Sequence, residues 1–537
     1  MKFVIFFSTL VLYVLATPRK YHYVPTEQFQ SDDVPDNEMH PDFHDDEEFM
    51  NKKFKAIRAE ELTKEFWMEQ GKDFIEQQLS KYPNTKRAKN ILFFLGDGMG
   101  HSTVAAARMA MGNENMQLKF EEFPWVASSK TFCVDEQTAD SACSATAYLS
   151  GVKGNSMTIG VNGNMKYMDC EDTGNRNKYT ESIAKWAQDA GKATGVVTTT
   201  RITHASPAGV YAHTASRYWE DDYEIIVDRC DPNTIDDIAL QLIHGEVGHN
   251  LNVIFGGGSR GFIPQGTQEN GYNGRRRDGR NLINEWLEAK ANRTFVNNRE
   301  RLMEVTAENL SGDVFGLFHG SHMSYNIDRT RLNRENLEPS LAEMTTKAIE
   351  LLSTNENGFF LFVEGGRIDH GHHETMAQYA VDETIQFHRA IEAALELVDI
   401  EETIVIVTAD HSHVFTYAGY PHRGNNIFGL SPSGTQDGMP FFTLSYANGP
   451  GFYEHRQNGA RVDPRTIDIT DPELEYPALV PLSSETHAAE DVGIYAIGPW
   501  AHLYRGTIEQ SFIPHVLAYA SCIGPNRRAC DDNPNLS

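Results

Sequence analysis

The stretch FVEGGRIDHGHHE, residues 362–374, follows an apolar run and is dense in side chains that can bind a metal ion or transfer protons. These side chains are Glu364, Asp369, His370, His372, His373 and Glu374. Zinc accepts imidazole and carboxylate ligands together at low coordination number. The stretch is either a solvated polar loop or part of a multi-metal site.

Three other segments show the same order, in which an apolar run ends and metal-ligand side chains follow. NILFFLGDGMG contains Asp97, ATGVVTTTRITHAS contains His204 and Ser206, and TIVIVTADHSH contains Asp410 and His411. Short continuous apolar runs are typical of parallel strands that are buried on both faces. Ligands bind outside the carboxyl ends of such strands, so distant clusters can converge at one sheet edge. Four such clusters favour the multi-metal site.

The segments between these runs indicate which elements position them. KYTESIAKWAQDAGKA and ETIQFHRAIEAALELVD have helical periodicity, and the second leads directly into TIVIVT. Alternating strands and helices predict an α/β fold with a large, mostly parallel central sheet flanked by helices. EELTKEFWMEQGKDFIEQQLSKY predicts a separate N-terminal helix. Residues 417–482 are rich in Gly, Pro and Asn and lack the strand-then-ligand order, which predicts a small inserted lobe.

The segment TADSACSATAYLSGVKG contains a candidate nucleophile, Ser141, between Asp140 and a run of small residues. Small residues after a serine let a helix begin close to the reacting atom, with its free N–H groups facing an anion. Asp-Ser before an alanine-rich segment is also a common helix N-cap. Taken alone, the segment favours the capping interpretation.

Composition and charge restrict the class of partner. The chain has 537 residues, 40% of them hydrophobic and 23% charged, and its net charge is -28 at pH 7. Such a surface repels a phosphate backbone, which argues against nucleic-acid binding. A small phosphorylated molecule remains compatible, because a bound metal ion inverts the local field.

The two ends of the chain predict an exported protein. Residues 1–16 have a lysine before an apolar run ending at Ala16, which is typical of a cleaved secretory signal. Residues 17–55 are strongly acidic, so we expect them to be disordered or to form a pro-segment. Residues 531–537 form a polar tail without the hydrophobic signal of a lipid anchor. We therefore expect a soluble, secreted, extracellular product without a direct membrane anchor.

Cysteines and sequons agree with an oxidising export route. The candidate disulfides are Cys170 with Cys230, which would close a long loop, and Cys522 with Cys530, which would close a short one. Cys133 and Cys143 are left as candidate free thiols, since the sequence does not fix the connectivity. The candidate glycosylation sites are Asn292, Asn309 and Asn535.

Seven motifs together resemble those of the animal-type alkaline phosphatases. In chain order they are FFLGDGMG, DSACSATAYLSGVKG, TTTRITHASPAG, YAHTASRYW, FVEGGRIDHGHHE, VTADHSHVF and SETHAAEDV. The motifs appear in the order of the family, and the resemblance as a whole extends from about residue 60 to residue 530. The resemblance implies a catalytic domain over residues 56–530. It also implies metal-dependent hydrolysis of phosphate monoesters through a phosphoserine, with a broad substrate range and an alkaline pH optimum.

The resemblance also implies the role of each site residue. Ser141 would be the nucleophile, Arg217 would bind the phosphate, and His204 would orient a water beside magnesium. The subunit would hold two zinc ions and one magnesium ion. The ligands of one zinc would be Asp369, His373 and His487. The ligands of the other would be Asp97, Asp410 and His411. The magnesium ligands would be Asp97, Ser206 and Glu364.

Departures from the family pattern limit what the resemblance implies. Phe318 and Glu338 match the calcium site of mammalian members, but His319 replaces a glutamate there, so we do not expect calcium. Ser484 replaces an acidic residue near the mouth of the site. Tyr420 matches a residue that reaches the partner subunit, which implies a homodimer. The alternative function is a catalytically inactive secreted glycoprotein that keeps the fold as a binding surface.

Overall fold

The computed structural model describes residues 58–309, 312–431 and 435–532. The predicted signal segment, the acidic segment 17–55 and Asn535 therefore lie outside the described residues. The domain boundaries drawn from the sequence stay predictions.

A ten-stranded sheet forms the centre of the molecule. Its strands are β1 (Asn90–Gly96), β2 (Trp125–Lys130), β3 (Ala193–Arg201), β4 (Val253–Gly257), β5 (Thr294–Val296), β6 (Val314–Leu317), β7 (Phe359–Gly365), β8 (Thr403–Ala409), β9 (Val492–Ile497) and β10 (Gly506–Glu509). Their order across the sheet is β10-β2-β9-β8-β1-β7-β3-β4-β6-β5. Strand β9 runs antiparallel to both of its neighbours, and the other pairs are parallel. The predicted α/β class with a mostly parallel sheet is confirmed.

The central strands are apolar throughout because both faces of the sheet are covered. Successive side chains of a strand point to opposite faces. In β1, Ile91, Phe93 and Leu95 therefore join one buried cluster, and Leu92 and Phe94 join the cluster on the other face. Each face is covered by helices, so the sheet forms a rigid platform for the loops at its edge.

The α-helices among the described residues surround this sheet. They are α1 (Lys64–Leu79), α2 (His101–Met111), α3 (Ser141–Ser150), α4 (Ile183–Asp189), α5 (Ala205–Ala208), α6 (Asp222–Val227), α7 (Ile238–His244), α8 (Leu282–Ala289), α9 (Arg299–Glu304), α10 (Asn326–Arg331), α11 (Leu341–Leu352), α12 (Arg367–His373), α13 (Ala377–Leu395), α14 (Ile513–Ser521) and α15 (Ala529–Asp532). Helix α13 leads into β8, as its periodicity predicted.

The N-terminal helix α1 has the predicted type but lacks a buried face. It begins after its N-cap Thr63, whose side chain accepts a hydrogen bond from the Phe66 amide. None of its residues is buried, and Phe74 and Leu79 remain 59% and 70% exposed. The apolar side chains of this helix therefore remain exposed in the isolated subunit.

The segment 417–482 contains short strands rather than additional strands of the main sheet. Phe415–Tyr417, Leu444–Gly449 and Ala478–Pro481 form a separate three-stranded sheet. Two-residue strands complete the region: Leu430–Ser431 with Phe441–Phe442, and Arg456–Gln457 with Ala460–Arg461. Elsewhere, Gln268–Glu269 pairs with Tyr272–Asn273, and Ser412–His413 pairs with His487–Ala488.

Three disulfides close loops of different length. The structure pairs Cys170 with Cys230 and Cys522 with Cys530, as the spacing suggested. It also pairs Cys133 with Cys143, so the sequence-based assignment of these two residues as free thiols is wrong. The turn before α3 brings their Cα atoms to 5.8 Å, and both side chains are buried against each other.

Candidate active site

The four clusters found in the sequence meet at one edge of the sheet. Strands β8, β1, β7 and β3 are consecutive neighbours and parallel, so their carboxyl ends lie side by side. Asp97 follows β1, Glu364 lies near the end of β7, and Asp410 follows β8. His204 caps the short helix α5 after β3, and Ser206 lies within that helix. The strand ends therefore bring together side chains that are hundreds of residues apart.

A first cluster is formed by Asp369, His373 and His487. Helix α12 begins directly after β7 and places Asp369 and His373 on one face, with Nε2 of His373 3.4 Å from Oδ2 of Asp369. Nε2 of His487 lies 3.3 Å from Oδ1 of Asp369 and 3.1 Å from Nε2 of His373. Two imidazole nitrogens and a carboxylate thus point at one another, which is the arrangement that a zinc ion requires.

Hydrogen bonds to the backbone set the tautomers of these two histidines. Nδ1 of His373 lies 2.6 Å from the carbonyl of Glu485, and Nδ1 of His487 lies 2.8 Å from the carbonyl of Ala139. A carbonyl accepts only, so each Nδ1 must carry the proton and donate it. Each Nε2 consequently keeps its lone pair for a metal ion, as is usual for histidine ligands.

A second cluster surrounds the candidate nucleophile. Nε2 of His411 lies 3.1 Å from Oδ2 of Asp410 and 3.6 Å from Oδ1 of Asp97. The same nitrogen is 3.3 Å from Oγ of Ser141, which is almost completely buried at the start of α3. The rings of His411 and His487 stack with their centroids 3.5 Å apart, so the first and second clusters adjoin.

A third cluster consists of oxygen donors alone. Both carboxylate oxygens of Asp97, Oγ of Ser206 and Oε1 of Glu364 are buried and lack a hydrogen-bond partner within the described part of the chain. The other oxygen of Glu364 accepts hydrogen bonds from Thr198 and Thr200. Buried polar atoms without partners are costly, and a cation would satisfy all of these at once. Oxygen donors suit magnesium, and the residues present therefore fit that ion.

The electrostatics of the clusters also indicate cation sites. Burial, together with Asp410, Asp369 and Glu364, raises the pKa of Asp97 well above its usual range. Burial raises the pKa of Glu364 to about 7, with Asp410 adding to the effect. Burial would also raise the pKa of Asp410, but His411 outweighs it and holds that pKa at about 2. Carboxylates gathered in a buried site need positive charge to remain ionised together.

Arg217 and His204 lie beside the nucleophile. The Arg217 guanidinium donates to Oδ2 of Asp140 at 3.0 Å, and its other terminal nitrogen lies 3.1 Å from Nε2 of His204. Asp140 is the N-cap of α3 and accepts the backbone N–H groups of Ala142 and Cys143. The capping interpretation of Asp140 is therefore correct, and it leaves the following residue, Ser141, facing the metal-ligand clusters.

Sequence reasoning missed His413, which lies between two acids. Its Nε2 is 2.8 Å from Oδ1 of Asp369, and its Nδ1 is 2.5 Å from Oε2 of Glu485. Burial would lower the pKa of His413, but Glu485 and Asp369 outweigh burial and raise it to about 10. The signal was the spacing HSH, which in an extended segment directs both histidines to the same side. Gly98, at a φ of 70°, makes room for this ring, since a Cβ there would approach Nε2 to 2.4 Å.

Two other histidines of the first stretch have different surroundings. His372 is buried, with its nitrogens 2.9 Å from Oγ1 of Thr103 and 3.0 Å from the hydroxyl of Tyr446. It is a core residue, neither solvated nor directed at a cluster. His370 packs against His204, and its Nδ1 lies 2.9 Å from the Arg367 guanidinium.

Asn292 and Asn309 are exposed, and their glycosylation stays a prediction.

The family model for alkaline phosphatase matches residues 88–523, which include every element of the site. The chain belongs to the alkaline phosphatase family. Among curated alkaline phosphatases, it is 44% identical over 490 residues to the membrane-bound alkaline phosphatase of Bombyx mori, covering 88% of each chain. It is 43% identical over 490 residues to the tissue-nonspecific alkaline phosphatase of Gallus gallus, covering 88% of this chain and 92% of the relative.

Solved alkaline phosphatases share the fold at lower identity. The crystal structure of Thermus thermophilus alkaline phosphatase superposes with a TM-score of 0.59 at 20% identity, covering 84% of this chain and 96% of that one. No helix among residues 58–309, 312–431 and 435–532 is both long and apolar enough to cross a bilayer.

This chain has different residues at the position of the calcium site of mammalian alkaline phosphatases. Glu338 is fully buried, and its carboxylate accepts from the amide of Ser324 at 2.8 Å and from Oγ of Ser324 at 3.0 Å. The Arg334 guanidinium forms an ion pair with the same Glu338 carboxylate. His319 packs its ring against Tyr272 instead of offering a carboxylate. The residues present do not fit a calcium ion, because a guanidinium already neutralises the buried carboxylate.

Proposed function

We propose that the protein hydrolyses phosphate monoesters by two displacements, with Ser141 as the nucleophile that becomes phosphorylated. The observation that carries the proposal is the environment of Oγ of Ser141. This oxygen lies at the N-terminus of α3 and 3.3 Å from Nε2 of His411, beside buried carboxylates that need cations. Nucleophile and metal ligands are thus close enough to act on one phosphoryl group.

The metal ligands follow the three clusters. Asp369, His373 and His487 would hold one zinc ion, and Asp97, Asp410 and His411 would hold the second. Asp97, Ser206 and Glu364 would hold magnesium, with His204 beside them. When bound, these cations supply Lewis-acid stabilisation of the charge that develops on the phosphoryl group and on the entering and leaving oxygens.

The residues of the chain carry out the remaining steps. Oγ of Ser141 attacks phosphorus while the bond from phosphorus to the alcohol oxygen breaks, and the proton of the serine hydroxyl ends on the alcohol that leaves. Water then attacks the phosphoserine, phosphate is released, and the serine hydroxyl is restored. Arg217 binds two equatorial oxygens of the phosphoryl group, and its contacts with Asp140 and His204 hold it in that orientation. Two in-line displacements retain the configuration at phosphorus.

The selectivity for monoesters follows from charge. A monoester presents a dianion, which a guanidinium binds through two parallel hydrogen bonds. The esterified group would remain outside the site, so a broad range of small phosphorylated molecules would be accepted.

We also propose that two subunits associate through α1 and the region of Tyr420. Trp67 and Tyr420 are 56% and 62% exposed, and the whole of α1 lacks a buried residue in the isolated subunit. Apolar surface of this kind is typical of protein–protein contacts. Export to an oxidising compartment agrees with three disulfides in the described residues.

The test is steady-state hydrolysis of a chromogenic phosphate monoester by the purified protein. Chelation should abolish turnover, and zinc together with magnesium should restore it. Ser141→Ala should lack turnover, whereas Ser150→Ala, which changes a buried serine at the far end of the same helix, should keep it. If the folded, metal-loaded protein lacks turnover, the proposal fails and the inactive binding glycoprotein takes its place.

A further inference from the structure

The Cys133–Cys143 disulfide joins the loop before the nucleophile to the first turn of α3. Cys143 lies two residues after Ser141, and Cys133 lies in the segment between β2 and α3, which contains no helix or strand. Both cysteines are 2% exposed, and they pack with Ala139 as a small buried cluster of their own. The bridge therefore links two residues that are ten positions apart in the sequence, and the segment between them contains Ser141.

Three groups of the proposed site depend on this loop. The carbonyl of Ala139 lies 2.8 Å from Nδ1 of His487 and sets the tautomer of that ligand. The carboxylate of Asp140 accepts a 3.0 Å hydrogen bond from Arg217. Ser141 follows directly in sequence. Nucleophile, phosphate-binding guanidinium and one zinc ligand are thus positioned by three consecutive residues.

Hydrogen bonds to the segment 153–157 hold the rest of the loop, and Lys153 donates to the carbonyl of Phe132 at 2.8 Å. Val134 donates its N–H to the carbonyl of Gly154 at 3.0 Å, and Asp135 accepts the N–H of Ser156 at 2.8 Å. Val134 is itself 55% exposed, so apolar burial does not hold this part of the loop. Asp140 also accepts the N–H of Met157 at 2.8 Å. To these hydrogen bonds the bridge adds a covalent link between the loop before residues 139–141 and the first turn of α3 after them.

We infer that the Cys133–Cys143 disulfide is a positioning element of the active site, which holds Ala139, Asp140 and Ser141 in the geometry that catalysis requires. This inference rests on the proposed roles of Ser141, Arg217 and His487. A disulfide that served stability alone would change the unfolding temperature without changing the kinetics of the folded enzyme.

The test compares two double variants of the full-length, metal-loaded protein. Cys133→Ala/Cys143→Ala removes the bridge beside the nucleophile. Cys522→Ala/Cys530→Ala removes a bridge of similar sequence separation, eight against ten residues, that joins elements near the C-terminus. Both variants should lose thermal stability to a similar extent, because the loops are of similar length.

The kinetic constants should separate the two variants. For the first variant, we expect kcat/KM to fall roughly 10- to 100-fold, the loss typical of small displacements of reacting groups. We also expect inhibition by inorganic phosphate to weaken, because Arg217 loses its fixed partner. The second variant should match the wild type in both constants. The inference is overturned if the first variant also matches the wild type within about two-fold while its bridge is absent.

A second measurement applies if the first variant does not fold. The wild type is treated with a trialkylphosphine and then with an alkylating agent, and metals are restored before assay. The phosphine and water reduce the S–S bond to two thiols and form the phosphine oxide. Molecules alkylated at Cys133 and Cys143 should show the same loss in kcat/KM, and full activity in them would overturn the inference. Failure of the proposed function would differ, since the untreated wild type would then lack turnover.

Discussion

Replacing Glu364 by glutamine should separate the cost of burying this carboxylate from its use as a metal ligand. Glu364 is fully buried, and burial raises its pKa from 4.5 to about 7 in the metal-free protein. Between these two pH values the folded state holds a proton that the unfolded state has released. The contribution of Glu364 to stability should therefore fall as pH rises from about 4.5 to about 7, and the loss is complete above that range.

The size of the effect follows from the difference between the two pKa values. Each pKa unit corresponds to about 1.4 kcal/mol, so the ionised carboxylate should cost the metal-free fold about 3 kcal/mol at pH 8. Glu364→Gln keeps the shape and the acceptor for Thr198 and Thr200 but removes the charge. The metal-free variant should therefore be more stable than the wild type, by about 3 °C for a chain of this length.

Calorimetry at pH 8, before and after magnesium is restored, measures both consequences. Magnesium should raise the unfolding temperature of the wild type but not of Glu364→Gln. Glu383→Gln is the matched control, because burial also raises the pKa of Glu383 to about 7 although this residue lies on α13, outside the three clusters. It should gain stability without losing the response to magnesium. A Glu364→Gln protein that still responds to magnesium would refute the assignment of this site.

Three other changes test separate parts of the site. Arg217→Lys should lower kcat/KM for a phosphate monoester by about 100-fold, since lysine cannot form two parallel hydrogen bonds with the phosphoryl group. In steady-state assays, a change below about three-fold would contradict the role of Arg217 in binding phosphate. His413→Gln should weaken zinc binding by roughly 10- to 100-fold, because it removes the imidazole that hydrogen-bonds to the zinc ligand Asp369. Competition with a chromophoric chelator measures the zinc affinity, and an unchanged affinity would show that Asp369 needs no such support. Arg334→Gln should lower stability by about 2 kcal/mol, because it leaves Glu338 buried and unpaired. Added calcium should not change the unfolding temperature of the wild type, and a rise would contradict the interpretation of that position.

The residues at the strand ends show how much of the site could be predicted from local patterns in the sequence. Asp97, Glu364 and Asp410 each follow or end a continuous apolar run, and the parallel sheet then places them at one edge. Nothing in local periodicity could predict His487, which lies on a two-residue strand paired with His413. That position was accessible only through the resemblance to the family, because a strand of this length leaves no periodic signal.

The exposed helix and the third disulfide illustrate two other limits of sequence. The spacing in α1 correctly predicts a helix but cannot tell whether its apolar side faces this subunit or another. Cys133 and Cys143 lie in a loop and in a helix, so their proximity depends on the turn between them rather than on either element. Both limits arise from tertiary contacts that spacing does not encode.

Trapping the covalent intermediate tests the central claim most directly. The metal-loaded enzyme is mixed with excess phosphate monoester, quenched in acid during turnover, digested and analysed by mass spectrometry. We predict one phosphoryl group on the peptide that contains Ser141, formed at the rate of alcohol release and absent from Ser141→Ala. A phosphoryl group on another residue of an enzyme that is turning over, or turnover by Ser141→Ala, would contradict the proposed mechanism.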